Sequence, residues 1–236
     1  MYKRSLFFLI FLLGILKMNA QQYEIGLQIG NTKYIGDIGK EDYFYPSKIG
    51  GSLIFKNTVN QWMLMRISLS YLLIEANDAE SYNIGRQTRD WHFSGTVMET
   101  SLGIEYNFFP RNPYLRDKKY YKFVPYMYSG FTFINYFGIL NGGNNRENGY
   151  EYNGTALGIP MIVGFKYKLS EHFLFSSEIG ARYNFTDNLD GTANYFKKID
   201  KYNGVPTTNI NSNDWYTFAS IGLIYTFGDL RCYFGF

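Results

Sequence analysis

The stretch Trp215–Phe227, Trp-Tyr-Thr-Phe-Ala-Ser-Ile-Gly-Leu-Ile-Tyr-Thr-Phe, constrains this chain more than any other. Its odd positions are Trp215, Thr217, Ala219, Ile221, Leu223, Tyr225 and Phe227; its even positions are Tyr216, Phe218, Ser220, Gly222, Ile224 and Thr226. A strand sends these two sets to opposite faces, one apolar with aromatics at both ends, the other mixed with Ser, Gly and Thr. At about 3.3 Å per residue and a tilt of about 40° the segment rises roughly 33 Å, enough to cross the apolar band of about 25 Å in an outer-membrane barrel. It reads as the closing strand of a transmembrane β-barrel.

Six more segments repeat this alternation. Apolar sets fall on Tyr23, Ile25, Leu27 and Ile29 (23–30); Ile49, Leu53 and Phe55 (47–56); Met63, Met65, Ile67, Leu69, Tyr71 and Leu73 (62–75); Met98, Leu102, Ile104, Tyr106 and Phe108 (94–108); Leu157, Ile159, Met161, Val163, Phe165 and Tyr167 (155–169); and Phe175, Ile179, Ala181, Tyr183 and Phe185 (173–185). Segment 123–136 is strand-like but carries aromatics on both faces, so its orientation stays open. With the closing strand this predicts an all-β fold: an eight-stranded antiparallel up-and-down transmembrane barrel of the outer membrane. Aromatics at 20% suit interfacial girdles. The mean hydropathy of -0.24 is too polar for helical spans. A formal charge of +3, without basic stretches interleaved with stacking aromatics, argues against a nucleic-acid partner.

Residues 1–20 read as a signal peptide: Lys3 and Arg4 precede an apolar run at 6–16 too short to span as a helix, and Ala20 is a small residue before the cut, although Met18 stands where a small residue is usual. No Cys follows the run, which argues against a lipoprotein. Residues 21–227 are then the barrel and 228–236 a periplasmic tail. Segments 57–61 and 170–171 are expected as tight turns, and 31–46, 77–93, 137–154 and 186–214 as long loops. Short periplasmic turns and long outer loops belong to such barrels and place both termini in the periplasm. The exception is 110–122, a long basic connection with Arg111, Arg116, Lys118, Lys119 and Lys122 where a tight turn is expected.

Eight strands enclose an interior just wide enough for side chains to fill. The inward set holds Glu24, Glu99, Glu105 and Glu178 against Lys48, Lys56, Arg66, Lys166, Lys168 and Arg182. Unpaired charges there are costly, so these residues are expected to form a lumen ion network. Glu178 and Arg182, four apart on one strand, should pair with other strands. The alternative is a gated conduction path.

Few residues carry catalytic signals. His92-Phe93-Ser94 resembles the His-x-Ser arrangement of outer-membrane lipid A deacylases, small barrels acting on acyl chains at their lipid-facing side. Such a pair needs a third group to orient the His. Glu99 and Glu105 have the opposite parity, so the triad is incomplete and no catalytic residue is assigned. His172 lacks ligand companions and reads as a surface residue. Asp187 to Gly191 lacks the acid spacing of a calcium loop and reads as a turn. No metal and no cofactor is expected. Cys232, the only cysteine, cannot form an intramolecular disulfide; it is either a free thiol or a covalent contact with a partner. Tyr233, Phe234 and Phe236 beside it favour a partner, since an exposed aromatic tail is poorly solvated.

The opening Tyr23-Glu-Ile-Gly-Leu-Gln-Ile-Gly-Asn-Thr-Lys-Tyr-Ile-Gly-Asp37-Ile resembles the N-terminal signature of the PorG-like family of outer-membrane barrels. Further similarities follow in order at 102–109, 124–126, 159–167 and 185–190, covering nearly the whole mature chain. At Asn188-Leu189-Asp190-Gly191 the chain departs from the family's pattern, in which a second acid follows the Asp. The resemblance implies a component of the type IX secretion and gliding machinery, associated with a periplasmic ring that contains a lipoprotein, PorK, and its partner PorN. The basic connection and the tail both face the compartment of such a ring. The expected partners are therefore outer-membrane lipid and that ring, and the expected role is a non-enzymatic anchor. The other classes are a small OmpA/OmpW-like barrel serving as channel or adhesin, and a lipid A modifying enzyme.

Overall fold

Alternation of apolar and polar side chains drives the chain into strands that bury their polar face and expose their apolar one, the inverse of a water-soluble protein. The computed structural model describes residues 22–40, 48–109, 122–142, 149–192 and 213–228. The strands are β1 (Tyr23–Ile35), β2 (Lys48–Thr58), β3 (Met63–Asn77), β4 (His92–Asn107), β5 (Phe123–Asn141), β6 (Tyr150–Lys168), β7 (Phe173–Asn184) and β8 (Trp215–Phe227). Each pairs antiparallel with the next, and β1 pairs with β8 from Tyr23↔Phe227 to Ile35↔Trp215, closing the eight-stranded barrel.

The faces follow the expected parity. Leu27, Ile29, Met65, Leu69, Leu102, Leu157 and Ile221 stand exposed, while Gln28, Ser52, Arg66, Ser101, Ser176 and Ser220 are buried on the other side. In β5 the even positions point inward, with Val124, Tyr126, Tyr128, Thr132, Ile134 and Tyr136 buried, and Phe123, Met127, Phe131 and Phe133 outside. That orients the one strand whose pattern was ambiguous.

The tight-turn end is built twice on the same plan. Val59 and Asn60 donate their N–H groups to Met63 O (2.9 and 3.1 Å), as Leu169 and Ser170 do to Phe173 O (3.0 and 3.1 Å). Asn60 Oδ1 accepts from Trp62 N and Met63 N at 2.8 Å each, and Ser170 Oγ from Phe173 N at 3.2 Å, the local side-chain bonds that favour such residues in turns. Outward aromatics gather at this end: Tyr23 stacks between Phe55 and Phe227, Trp62 on Tyr106, Phe165 near Phe123 and Phe175, and Phe173 beside Tyr225. A second group, Tyr183, Phe185 and Trp215, lies toward the other end. Two aromatic levels bounding an apolar wall are the signature of a barrel seated in lipid.

At the long-loop end β1 and β5 run five residues beyond the expected limits of 30 and 136, and β6 begins five before 155. Polar residues enter the outward set here, at Asn31, Asn141 and Glu151, although Phe137 and Ile139 on β5 stay exposed, so the alternation that marks a lipid-facing strand weakens while the hydrogen-bonded ladder continues. The β3–β4 loop folds into a 3-10 turn (Asp78–Glu80) and helix α1 (Ile84–Arg89), capped by Asn83 Oδ1 accepting from Gly85 N at 2.8 Å. Asp78, fully buried, accepts from Gly39 N (2.9 Å), Arg89 Nε (2.7 Å) and Trp91 N (3.3 Å), and so ties the β1–β2 and β3–β4 loops together.

Candidate functional site

Inward-facing charges at the tight-turn half of the lumen form one connected network. Arg66 on β3 reaches across to Glu178 on β7 with two bonds, Nη1 to Oε1 at 2.7 Å and Nη2 to Oε2 at 2.9 Å, the bidentate arrangement that gives a guanidinium–carboxylate pair its strength. Lys56 on β2 lies 2.6 Å from Glu105 on β4 and 3.9 Å from Glu24 on β1. Lys166 on β6 contacts the same two acids, Glu24 at 3.5 Å and Glu105 more closely. Tyr126 donates its hydroxyl to Glu178, and its ring lies under both ammonium groups, at 5.0 Å from Lys56 and 5.1 Å from Lys166. All of these side chains are buried.

A second pair stands nearer the long-loop end, where Arg182 Nε donates to Glu99 Oε2 at 3.2 Å and Tyr216 donates to the same oxygen. Glu178 and Arg182 thus pair with other strands and not with each other, as expected. Four acids, Glu24, Glu99, Glu105 and Glu178, meet four bases, Lys56, Arg66, Lys166 and Arg182, and the network carries no formal charge. Two of the expected members lie elsewhere. Lys48 is exposed at the end of β2 and pairs with Glu75, and Lys168 is exposed at the end of β6. Both have inward parity but stand at the rims, where a long side chain reaches water.

Above the ion network the lumen turns apolar. Leu72, Ile74, Phe93, Val97, Ile134, Leu140 and Phe218 pack with the rings of Tyr34, Trp91, Tyr136 and Tyr152, and Leu189 of the β7–β8 loop drops into this cluster with no exposed surface. The sequence Asp187 to Gly191 is therefore more than the loop turn expected from it. Gly191, at φ +82°, turns the loop where a Cβ would meet the Tyr152 ring at 2.4 Å. Beside Leu189, the Tyr34 hydroxyl bonds to Asp190 Oδ2 at 2.9 Å and to Asp214 Oδ1 at 2.5 Å. Burial raises the carboxyl of Asp190 to about 6 and that of Asp214 well above the ordinary range, helped for Asp214 by the neighbouring Asp190. Asp187 is raised to about 6 by burial and by Asp37 and Asp190, and Asp37 is raised by burial against the pull of Arg86 and Arg89. Parity reaches none of this, because the residues sit on loops and strand ends; an isolated Leu within a polar loop was the available signal.

His92 sits half-buried on the outward face of β4 with exposed Ser94 two residues on. The acid missing from the strand itself comes from the neighbouring one: Glu75 on β3 is Ser94's register partner, with Oε1 3.8 Å from His92 Nε2. Its other oxygen is held by Lys48. His172, exposed in its turn, faces Thr226 O at 3.2 Å through Nδ1. No group of three or more His, Cys, Asp or Glu side chains among the described residues is arranged to hold a metal ion. Lys122 is exposed at the start of β5, and its carbonyl accepts from Lys168 N at 2.7 Å. Arg111, Arg116, Lys118, Lys119, Cys232, Tyr233, Phe234 and Phe236, and the signal segment 1–20, lie outside the described residues.

Comparison with solved structures returns outer-membrane barrels. A major outer membrane protein from Thermus thermophilus is 14% identical, over 89% of this chain and 100% of that one, with a TM-score of 0.53. OprG from Pseudomonas aeruginosa is 12% identical over 89% and 97%, with a TM-score of 0.45. Ail, the attachment invasion locus protein of Yersinia pestis, is 8% identical over 88% and 99%, with a TM-score of 0.46. At these identities the likeness is one of fold. No curated protein matches the chain in sequence. The profile of a domain of unknown function, DUF6089, matches residues 3–235.

Proposed function

The chain belongs to the DUF6089 family, and on that premise we propose that it is an outer-membrane barrel of the type IX secretion and gliding machinery, which anchors a periplasmic ring of the PorK and PorN kind. One observation carries the anchoring part: the lumen is occupied by a self-neutralising network in which Lys56 and Glu24 have no exposed surface, with an apolar layer and an inserted loop above it. A conduit needs water along its path, so a barrel filled in this way works at its ends. The machinery and the ring are inferred from the resemblance of the opening and four later segments to PorG-like barrels. In this reading both termini are periplasmic, and the basic 110–122 connection and the Cys232 tail face the ring. The barrel has no catalytic role, and His92 and Glu75 belong to a surface ion cluster with Lys48.

The test is extraction from native outer membranes in mild detergent, with and without reductant, followed by mass spectrometry of what comes along. Copurifying ring lipoprotein and its partner support the anchor, and their loss on reduction assigns Cys232 to the contact. A barrel recovered alone under several mild conditions overturns it. A second reading, a surface adhesin, is favoured by β5 and β6, whose 19 residues each exceed what the apolar band requires. It expects surface binding that is lost when the outer loops are shortened.

A further inference from the structure

The two contacts of Tyr34 cannot both be made by its own hydrogen. A phenol carries one proton, yet Asp190 Oδ2 and Asp214 Oδ1 both lie within hydrogen-bonding distance of its oxygen, at 2.9 and 2.5 Å. With both carboxylates ionised, one of these contacts would set lone pair against lone pair in a buried site. The outer oxygens are already committed as acceptors. Asp190 Oδ1 takes Thr192 N (2.9 Å) and Thr192 Oγ1 (2.7 Å), and Asp214 Oδ2 takes Leu189 N (2.8 Å). A second proton therefore has to sit on an inner oxygen, between a carboxyl and the phenol. The 2.5 Å separation at Asp214 matches the short O–H···O bonds in which one partner is ionised or shares its proton.

We propose that Asp190, Tyr34 and Asp214 form a proton-held latch that keeps the 188–192 segment seated in the mouth of the barrel and releases it when the shared proton is lost. The three residues come from separate places: Tyr34 from the end of β1, Asp214 from the root of β8, and Asp190 from the loop. The latch thus spans the β1–β8 seam and carries Leu189 into the apolar layer. Loss of the proton to solvent leaves two carboxylates against one phenol. The surrounding charges oppose that state: Asp187 lies on the same loop and Asp37 beyond β1, and both act on the pair, while Tyr152 of β6 and Tyr136 of β5 present phenols. Arg86 and Arg89 act on Asp37, and Arg89 is bound to Asp78. As pH rises, the repulsion is relieved by withdrawal of the loop. This device is independent of any periplasmic partner.

The experiment is hydrogen–deuterium exchange of the full chain in phosphatidylcholine vesicles between pH 5 and 9, corrected for intrinsic exchange, following the amides of 187–192. Wild type is expected to lose protection there by about tenfold or more across the range, while the strands hold theirs. Asp214→Asn keeps a permanent donor toward Tyr34 and is expected to stay protected at pH 9. Tyr34→Phe is expected to lack protection throughout. Heat-modifiable migration on gels checks that each variant is folded, and if Tyr34→Phe is not, Asp214→Asn against wild type decides alone. Constant wild-type protection from pH 5 to 9 overturns the latch, as does an Asp214→Asn profile that tracks wild type. Protection at pH 9 that is restored by calcium chloride and removed by chelator also overturns it, in favour of a cation holding the same carboxylates.

Discussion

Arg66 on β3 and Glu178 on β7 meet across the width of the barrel through two bonds of 2.7 and 2.9 Å, although neither strand touches the other. Such a pair fixes a cross-section as no ladder bond does. Glu178→Leu leaves the guanidinium buried with only Glu105, at 3.6 Å, within reach. It is expected to cost about 3 to 5 kcal/mol, read as a lower urea midpoint in vesicles. The double change Arg66→Met with Glu178→Leu removes both charges and is expected to recover much of that loss. A double variant no more stable than the single one would refute the assignment.

The β4–β5 ladder depends on two glycines. Gly103 and Gly130 are register partners, and a Cβ on either would lie 2.2 Å from a carbonyl oxygen of the facing strand, Ser129 O or Leu102 O. Backbone cannot yield as a side-chain tip can, so Gly103→Val is expected to abolish the heat-modifiable folded species on gels. Gly51, whose added Cβ would find its nearest neighbour at 3.6 Å, should accept Ala with little change.

Asp190 predicts a pH dependence whose sign is fixed. Its carboxyl is raised to about 6 from an ordinary value near 4, so the folded barrel binds a proton there that the unfolded chain has lost. The corresponding stability is present below the unfolded value and is lost as pH climbs through about 6. Urea midpoints should therefore fall between pH 4 and 7, and Asp190→Asn should flatten that slope.

His92 offers a direct check on the proposal that the barrel has no catalytic role. Its nearest acid, Glu75, is already paired with Lys48, which leaves a surface cluster in place of an oriented base. His92→Ala and Ser94→Ala should each leave the mass spectrum of host lipid A unchanged. A shift by one acyl chain in either would restore the enzyme reading.

Period two alone revealed which face seven of the eight strands turn to lipid, because lipid demands apolar side chains at every second position. It failed at β5, where Tyr126 and Tyr128 serve Glu178 and Ser101 from inside and read no differently from the aromatics outside. Face is also not depth: Lys48 and Lys168 have the parity of lumen residues but sit at the rims. Contacts between strands were beyond reach for another reason. Glu75 opposes Ser94 through register, and register depends on where two strands meet, which neither strand encodes by itself. Leu189 was the hardest, since its only mark is to be an isolated Leu in a polar loop, and that alone does not tell a loop to turn inward.

The lumen pairs also govern how the barrel can be assembled. Lys56 on β2 waits for Glu105 on β4, Arg66 on β3 for Glu178 on β7, and Lys166 on β6 reaches back to Glu24 on β1. A sheet growing strand by strand holds uncompensated charge until its last members arrive, and hydrocarbon does not tolerate such a sheet. Insertion of this protein is therefore expected to be late and all-or-none, with the ribbon curling to find its far-side partners before or as it enters the bilayer.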